Sequence, residues 1–344
     1  MVRLKDIAAR AGVSVMTVSK ALREERDVSA ATRERIRLLA RQMGYVPDSM
    51  AQGLRTRSSK LFGLVISAAT NPIFARIVMA IEDRAHALGY DVMFAHSLNL
   101  IEREEHCIRR FLSRRVDGLF ISPVYRFGSH APIYEEVARQ GTPTVILGHV
   151  SPFCRQFVSV ATEDLLGSYA LTRHLVQLGH RRIAYLAGPP ASAWGQERLA
   201  GYQRALREAN IEVDDRLIFN AGSTIDEGVS AALQLLNEAP RITALQAVND
   251  LVAIGAANVL LDQGWKIPQD ISVAGFGNIL SSEFFRVPLT TLRQPKLRLG
   301  HAAMEVMQQL MRGERPLSRR LPADLILRGS TAPPPAEVAR PATR

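Results

Sequence analysis

The sequence predicts a small all-α head followed by an α/β body of two doubly wound parallel-sheet lobes. Three observations carry this. Residues 1–46 hold three short stretches with apolar residues at helical spacing. From Leu61 onward, short apolar runs alternate with amphipathic stretches, the order of a parallel sheet flanked by helices. The alternation passes through too many units for one modest sheet, so the body divides into two similar lobes.

The first helix of the head is expected from Leu4 to Ala11, where Leu4, Ile7, Ala8 and Ala11 share one face. Gly12 supplies a turn, and Ser14 can cap a second helix running to about Leu22 with Val18, Ala21 and Leu22 inward. Ser29 can cap a third, whose stripe is Ile36, Leu39, Ala40 and Met43, with Gly44 as its stop. A polar, basic connector bounded by Pro47 and Ser59 follows. The apolar runs of the body include LFGLVIS (61–67), DVMFAHS (91–97), GLFISP (118–123), TVILG (144–148), RIAYLAG (182–188), ALQAVND (244–250) and ISVAGFG (271–277). TTLRQP (290–295) and DLILRGS (324–330) are placed to close back onto the lobes. Domain boundaries are expected at 1–46 for the head, 47–60 for the connector and 61–330 for the body. Within the body, one lobe takes about 61–161 plus 291–323, the other about 162–290 plus 324–330. The Pro/Ala-rich stretch 331–344 reads as a disordered tail.

Charge separates the two parts. Residues 1–60 carry 13 Lys/Arg against 6 Asp/Glu, or +7 of the total +10. A basic head on a nearly neutral body is the electrostatic footprint of a nucleic-acid module, although a solvated basic surface gives the same count. The two cysteines, Cys107 and Cys154, are too few for a disulfide framework or a zinc ligand set. With no apolar leader after MVRLKDIAAR and no run long enough to span a bilayer, the expected setting is the cytoplasm, with no membrane partner.

The head resembles the DNA-binding domain of the LacI/GalR family, through RLKDIAARAGVSVMTVSKAL, VSAATRERI, MGYVP and AQGLR in that order. The resemblance continues through NPIFARIV (71–78), RVDGLFISP (115–123), HLVQLGHRRIAYLAG (174–188), ERLAGYQRAL (197–206), VNDLVAIGA (248–256) and VPLTTLRQPKLRLG (287–300), and so covers about residues 2–330. It implies a helix-turn-helix head and a body folded like the periplasmic sugar-binding proteins. Three crossovers would join the lobes, with a small effector between them. It also implies a homodimer on a near-palindromic double-stranded DNA operator.

In a helix-turn-helix the second helix enters the major groove with its first residues at the base edges. By resemblance the base-reading positions here are Val15, Met16 and Lys20. The inward stripe is already filled, so Val15 and Met16 fall on the outer face, where they offer apolar contacts such as a thymine methyl. Lys20 can donate to guanine, as a point charge rather than the bidentate fork of the Arg more usual there. Ser14, Thr17 and Ser19 are expected at phosphates, and Ser29 is counted among the DNA-binding residues. The resemblance makes the connector a hinge that becomes helical on the operator and wedges Leu54 into the central base step. Gly53 inside that helix costs about 1 kcal/mol relative to Ala, and Asp48 stands where the family usually has Asn. A plain tether is the alternative.

Doubly wound sheets take ligands at the carboxyl ends of their strands. Phe74, Trp194, Arg198, Asn249, Asp250, Phe276 and Gln294 fall there. By resemblance Arg198, Asn249, Asp250 and Gln294 match positions that hold sugar hydroxyls; Phe74, Trp194 and Phe276 could form a stacking wall. Asn249 and Asp250 equally suit a helix cap, Trp194 a surface loop and Phe276 the core. Gly277-Asn278 stands where the family often has an acid, which turns the expectation toward a sugar acid as well as a neutral sugar. No P-loop, no GxGxxG after the first body strand and no paired metal-ligand motif occurs, so neither enzyme chemistry nor a cofactor or metal is expected. A purine-responsive or other metabolite-responsive corepressor-type regulator is the nearest alternative. A DNA-tethered sugar-modifying enzyme and a free periplasmic binding protein are more distant ones.

Overall fold

A computed structural model describes residues 2–25, 27–46, 58–238 and 241–336. The chain forms two units, Met1–Ser59 and Lys60–Arg344. The expected hinge residues Asp48, Gly53 and Leu54 lie outside the described residues.

The head folds as α1 (Leu4–Ala11), α2 (Val15–Leu22) and α3 (Ala30–Gln42). Its core is Ile7, Ala8, Ala11, Val18, Ala21, Val28, Ile36 and Ala40, with Leu22, Leu39 and Met43 packed on its edge. Gly12 ends α1 in the left-handed conformation (φ 66°), which has no steric penalty only for glycine. Ser14 and Ser29 cap the next two helices, accepting from the amides of Thr17 and Thr32.

The body contains two six-stranded sheets. The first holds β1 (Leu61–Ile66), β2 (Asp91–His96), β3 (Gly118–Ile121), β4 (Thr144–Leu147), β5 (Val158–Thr162) and β11 (Arg319–Leu321), in the order β11-β5-β4-β3-β1-β2. The second holds β6 (Ile183–Ala187), β7 (Ile218–Asn220), β8 (Ala244–Ala247), β9 (Ser272–Gly277), β10 (Thr290–Arg293) and β12 (Asp324–Ile326), in the order β12-β10-β9-β8-β6-β7. All pairings are parallel except β10 with β12.

The two-residue period of a strand sends alternate side chains to opposite faces. On β1, Phe62, Leu64 and Ile66 pack with α4 (Pro72–Ala87) and α12 (Lys296–Met311), while Val65 joins Ile108, Phe111, Ile133 and Tyr134 from α5 (Ile101–Ser113) and α6 (Pro132–Gln140). The second sheet is covered by α7 (Asp164–Gln177), α8 (Ala193–Glu208), α9 (Ile225–Glu238) and α10 (Asp250–Asp262), around Tyr185, Tyr202, Leu245 and Phe276, and the short α11 (Leu280–Phe284) follows β9. The chain crosses between lobes three times: from β5 into α7, from β10 into α12, and from β11 into β12.

Three details differ from expectation. TTLR stays in the second lobe, because β10 completes the parallel ladder with β9 from Thr290↔Ala274 to Arg293↔Gly277. The crossover therefore falls at Gln294-Pro295 rather than at 291. Arg319–Leu321 forms an edge strand that no apolar run announces. The start of the expected disordered tail is tied down: the Ala332 carbonyl accepts from the buried His180 (2.9 Å) and Ser272 (3.0 Å), and the Thr331 hydroxyl lies 3.0 Å from that of Thr290. A buried imidazole and hydroxyls need partners, and the chain end supplies them.

Candidate functional site

On the head, α2 presents Val15 and Met16 to solvent, 46% and 64% exposed, while Val18 and Ala21 are fully buried. Two adjacent exposed apolar side chains at a helix start leave that end of α2 free for an apolar partner surface. Their neighbours are already engaged. The Ser14 and Thr17 hydroxyls lie 2.9 Å apart, Ser19 accepts from Arg23, and the Lys20 ammonium is paired with the Asp27 carboxylate. That pair holds Lys20 charged and Asp27 ionised, each through the hydrogen bond between them. Ser29 lies at the start of α3, its hydroxyl donating to Thr32 Oγ1 at 2.9 Å.

In the body, the carboxyl ends of both sheets face a cavity of about 520 Å³. Phe74, Trp194, Arg198, Asn249, Asp250, Phe276 and Gln294 all line it. The segments carrying them are far apart in sequence, and the doubly wound topology gathers them where the strand order reverses.

Arg198 is buried there, only 5% exposed. Its Nε and Nη2 donate to Asp164 Oδ1 at 2.7 and 2.6 Å, and Nη1 donates to the Val248 carbonyl at 2.8 Å. Its guanidinium carbon stands 3.7 Å from the Phe276 ring centroid and 4.8 Å from that of Trp194. Phe276 thus belongs to the core and to the cavity wall at once. The close approach of α7 and α8 sets this geometry. A Cβ on Gly201 would lie 2.3 Å from the Leu165 carbonyl oxygen, so only glycine allows the helix carrying Arg198 to meet the helix that begins at Asp164.

Other candidates serve the fold as well. Asn249 caps α10 by accepting from the Val252 amide (2.8 Å) and donates to the Ser223 carbonyl (3.0 Å). Asp250 accepts from Ser282 and Thr291 hydroxyls, both at 2.6 Å, and from the Ile279 amide at 3.0 Å. Burial pushes its carboxyl above the ordinary value against those donors. A side chain at 275 would strike Asp250, its Cβ lying 2.3 Å from Oδ1, so this buried acid fills space that glycine leaves open. Gln294 donates to Thr162 Oγ1 at 2.9 Å, while its buried Oε1 has no hydrogen-bond partner among the described residues.

The sequence did not single out Asp164, His149 or Glu227. His149 follows β4 in the first lobe, with Nε2 2.6 Å from Asp164 Oδ2 and Nδ1 3.3 Å from Glu197 Oε1. Glu197 also receives Arg320 at 2.8 Å, so this chain of polar contacts spans both lobes. Glu227 accepts from the Ser223 amide (2.8 Å), the Thr224 amide (2.9 Å) and the Thr224 hydroxyl (2.7 Å). Burial opposes its charge, but those donors outweigh burial and hold the carboxyl below its usual range.

Residues 3–48 match the bacterial regulatory proteins of the lacI family, and residues 172–331 match the periplasmic binding protein-like domain. The repressor PurR of Vibrio atlanticus (strain LGP32) is 32% identical over 307 residues, 89% of this chain and 91% of PurR. The chain belongs to the LacI family. It is accordingly a DNA-binding transcription regulator. Among solved structures, the lac repressor dimer bound to operator and the anti-inducer ONPF is similar at TM-score 0.86 and 32% identity, over 96% of this chain and 99% of that one. The regulator CelR in complex with cellobiose is similar at TM-score 0.73 and 30% identity, over 96% and 100%. The LacI-type architecture thus accounts for both the head and the two-lobed body. Among the described residues no helix is long and apolar enough to cross a membrane, and no group of His, Cys, Asp or Glu is arranged to hold a metal ion.

Proposed function

We propose that this LacI-family regulator is a cytoplasmic homodimeric repressor whose hold on a near-palindromic operator is controlled by a small carbohydrate-type effector in the inter-lobe cavity. The observation that carries this is the convergence of Phe74, Trp194, Arg198, Asn249, Asp250, Phe276 and Gln294 on one cavity lined from both lobes. Planar aromatic faces beside fixed hydrogen-bonding groups suit a ring that bears hydroxyls. The cellobiose bound by CelR is a ligand of that kind. Val15, Met16 and Lys20 would read bases, while Ser14, Thr17, Ser19 and Ser29 would meet phosphates. A dimer is supported by the exposed apolar side chains Leu280 and Phe284 on the second lobe and Phe94 on the edge strand β2 of the first. The regulator has no turnover role in this scheme.

The test uses an operator selected from random DNA, with binding followed by fluorescence anisotropy across a panel of sugars, sugar acids and nucleosides. A carbohydrate that shifts the binding midpoint supports the proposal. Arg198→Ala should abolish that shift and leave effector-free operator binding nearly intact. A response that survives Arg198→Ala removes the cavity from the scheme.

A further inference from the structure

Charge inside the cavity is distributed unevenly. Among the described residues, Arg198 is the only Lys or Arg lining it, against the acids Asp164, Glu227 and Asp250. The single cation is not available as a free charge. Asp164, 2% exposed, takes two of its three nitrogens, and the Val248 carbonyl takes the third. Glu227 stays ionised on its three donors and repels a second anion. Among the described residues, the buried Gln294 Oε1 on the cavity wall is left without a hydrogen bond, and it can only accept.

We propose that Asp164 sets the charge class of the effector: by neutralising Arg198 from within the protein, it makes the cavity accept an uncharged, hydroxyl-rich molecule and reject a sugar acid or sugar phosphate. The proposal rests on the cavity being the effector site. An uncharged ligand brings an O–H donor to Gln294 Oε1 and stacks on the wall that Arg198, Trp194 and Phe276 form, without disturbing the ion pair. A carboxylate or phosphate finds no uncompensated cation: whether it shares Arg198 with Asp164 or displaces it, it adds negative charge beside Asp164, Glu227 and Asp250. In a site of low dielectric, such crowding of like charges is strongly unfavourable.

Inorganic phosphate tests this without knowledge of the natural effector. Binding to the full-length protein is measured calorimetrically at fixed pH and ionic strength. Wild-type protein should show no phosphate binding that depends on Arg198. Asp164→Asn frees the guanidinium and should bind phosphate at least about tenfold more tightly. Asp164→Asn with Arg198→Ala should lose the gain, which separates the cavity from phosphate sites on the basic head. Merely structural damage at 164 does not create a new anion site. The proposal is overturned if wild type already binds phosphate through Arg198. It is equally overturned if Asp164→Asn, folded by circular dichroism, gains nothing. A second arm needs no variant: D-glucose against D-glucuronate, and D-ribose against ribose 5-phosphate, are compared as ligands of the wild type. The anion binding more tightly in either pair refutes the assignment. The outcome for the effector site itself is read separately, from the response of Arg198→Ala to effector.

Discussion

Lys20, expected at a base edge, is held by the carboxylate of Asp27 just beyond the end of its own helix. If Lys20 reads guanine as proposed, its ammonium has to exchange this partner for the base, and the Asp27 charge would then oppose the nearby phosphates. Asp27→Asn should therefore tighten binding to specific and non-specific DNA alike, by a few-fold to about tenfold at low salt, with a salt slope steeper by up to about one. Lys20→Ala should instead relax the preference at one guanine per half-site, by at least about fivefold. Anisotropy titrations at several salt concentrations, on an operator and its single-base variants, measure both. Uniform losses in Lys20→Ala across every sequence mean that Lys20 meets only phosphate.

Gly201→Ala tests the helix contact that brings Asp164 to Arg198. Its Cβ would meet the Leu165 carbonyl oxygen at 2.3 Å and the Tyr169 amide nitrogen at 2.8 Å, and backbone cannot swing aside as a side-chain tip can. Overpacking of this kind costs about 1–3 kcal/mol. The upper part of that range is expected in urea unfolding of the body, together with a weaker effector response. An unfolding midpoint equal to that of the parent shows that the two helices can separate freely.

Lys296 supplies a pH test. It opens α12, and its ammonium donates to the Gly277 carbonyl and, at 2.8 Å, to the Asn278 carbonyl across the lobe boundary. Burial lowers its pKa to about 8, against the opposing pull of Asp250. Above that pH the folded chain has released the proton while the unfolded chain, with an ordinary lysine, still holds it. Stability contributed by this group is therefore present at high pH and lost as pH falls through about 8. Between pH 8 and 10 the wild type should gain up to about 1.4 kcal/mol per pH unit relative to Lys296→Met. Parallel stability curves for the two proteins in that window contradict the assignment.

The part of the site that was legible in the sequence lay next to strand ends. Arg198, Asn249–Asp250 and Gln294 each follow an apolar run, and the carboxyl-end rule places such residues at one crevice whatever the packing details. The partner of Arg198 was not legible. Asp164 is 34 positions away on another helix, and its contact depends on how closely two helices approach, which Gly201 decides. The same holds for Lys20 and Asp27, whose pairing needs the path of the turn after α2. The strand Arg319–Leu321 escaped because two arginines hide it, and the fixed start of the tail because its partners, His180 and Ser272, come from distant strand ends. The lobe boundary near 294 required knowledge of which sheet TTLR joins.

The last prediction concerns the floor of the cavity. Pro123, Val124 and Tyr125 line it, and a fully buried acid on α5 holds them in place. Glu104 Oε1 accepts from the Val124 amide at 2.6 Å and from the Tyr134 hydroxyl at 2.9 Å, while Oε2 pairs with Arg126. Arg126 also lies over Phe153, 4.9 Å from the ring centroid, and Tyr125 donates to the His149 carbonyl at 2.9 Å. Burial raises the Glu104 carboxyl above its ordinary value even with Arg126 and these donors opposing it. Removing the guanidinium leaves the charge without its counterion, so Arg126→Met should cost about 3–5 kcal/mol near neutral pH. An acid with a raised folded-state pKa favours folding below its unfolded value and loses that contribution as pH rises. The deficit of Arg126→Met should therefore shrink as pH is lowered and Glu104 takes up a proton. Glu104→Gln in the same chain should recover much of the loss at neutral pH, since the amide oxygen can still accept from Val124 and Tyr134 with no charge to bury. Denaturant unfolding of the single and double variants at pH 5 and pH 7.5 checks this. A deficit that does not change with pH, or that Glu104→Gln leaves in place, means that Arg126 acts through its packing on Phe153 and not through its charge.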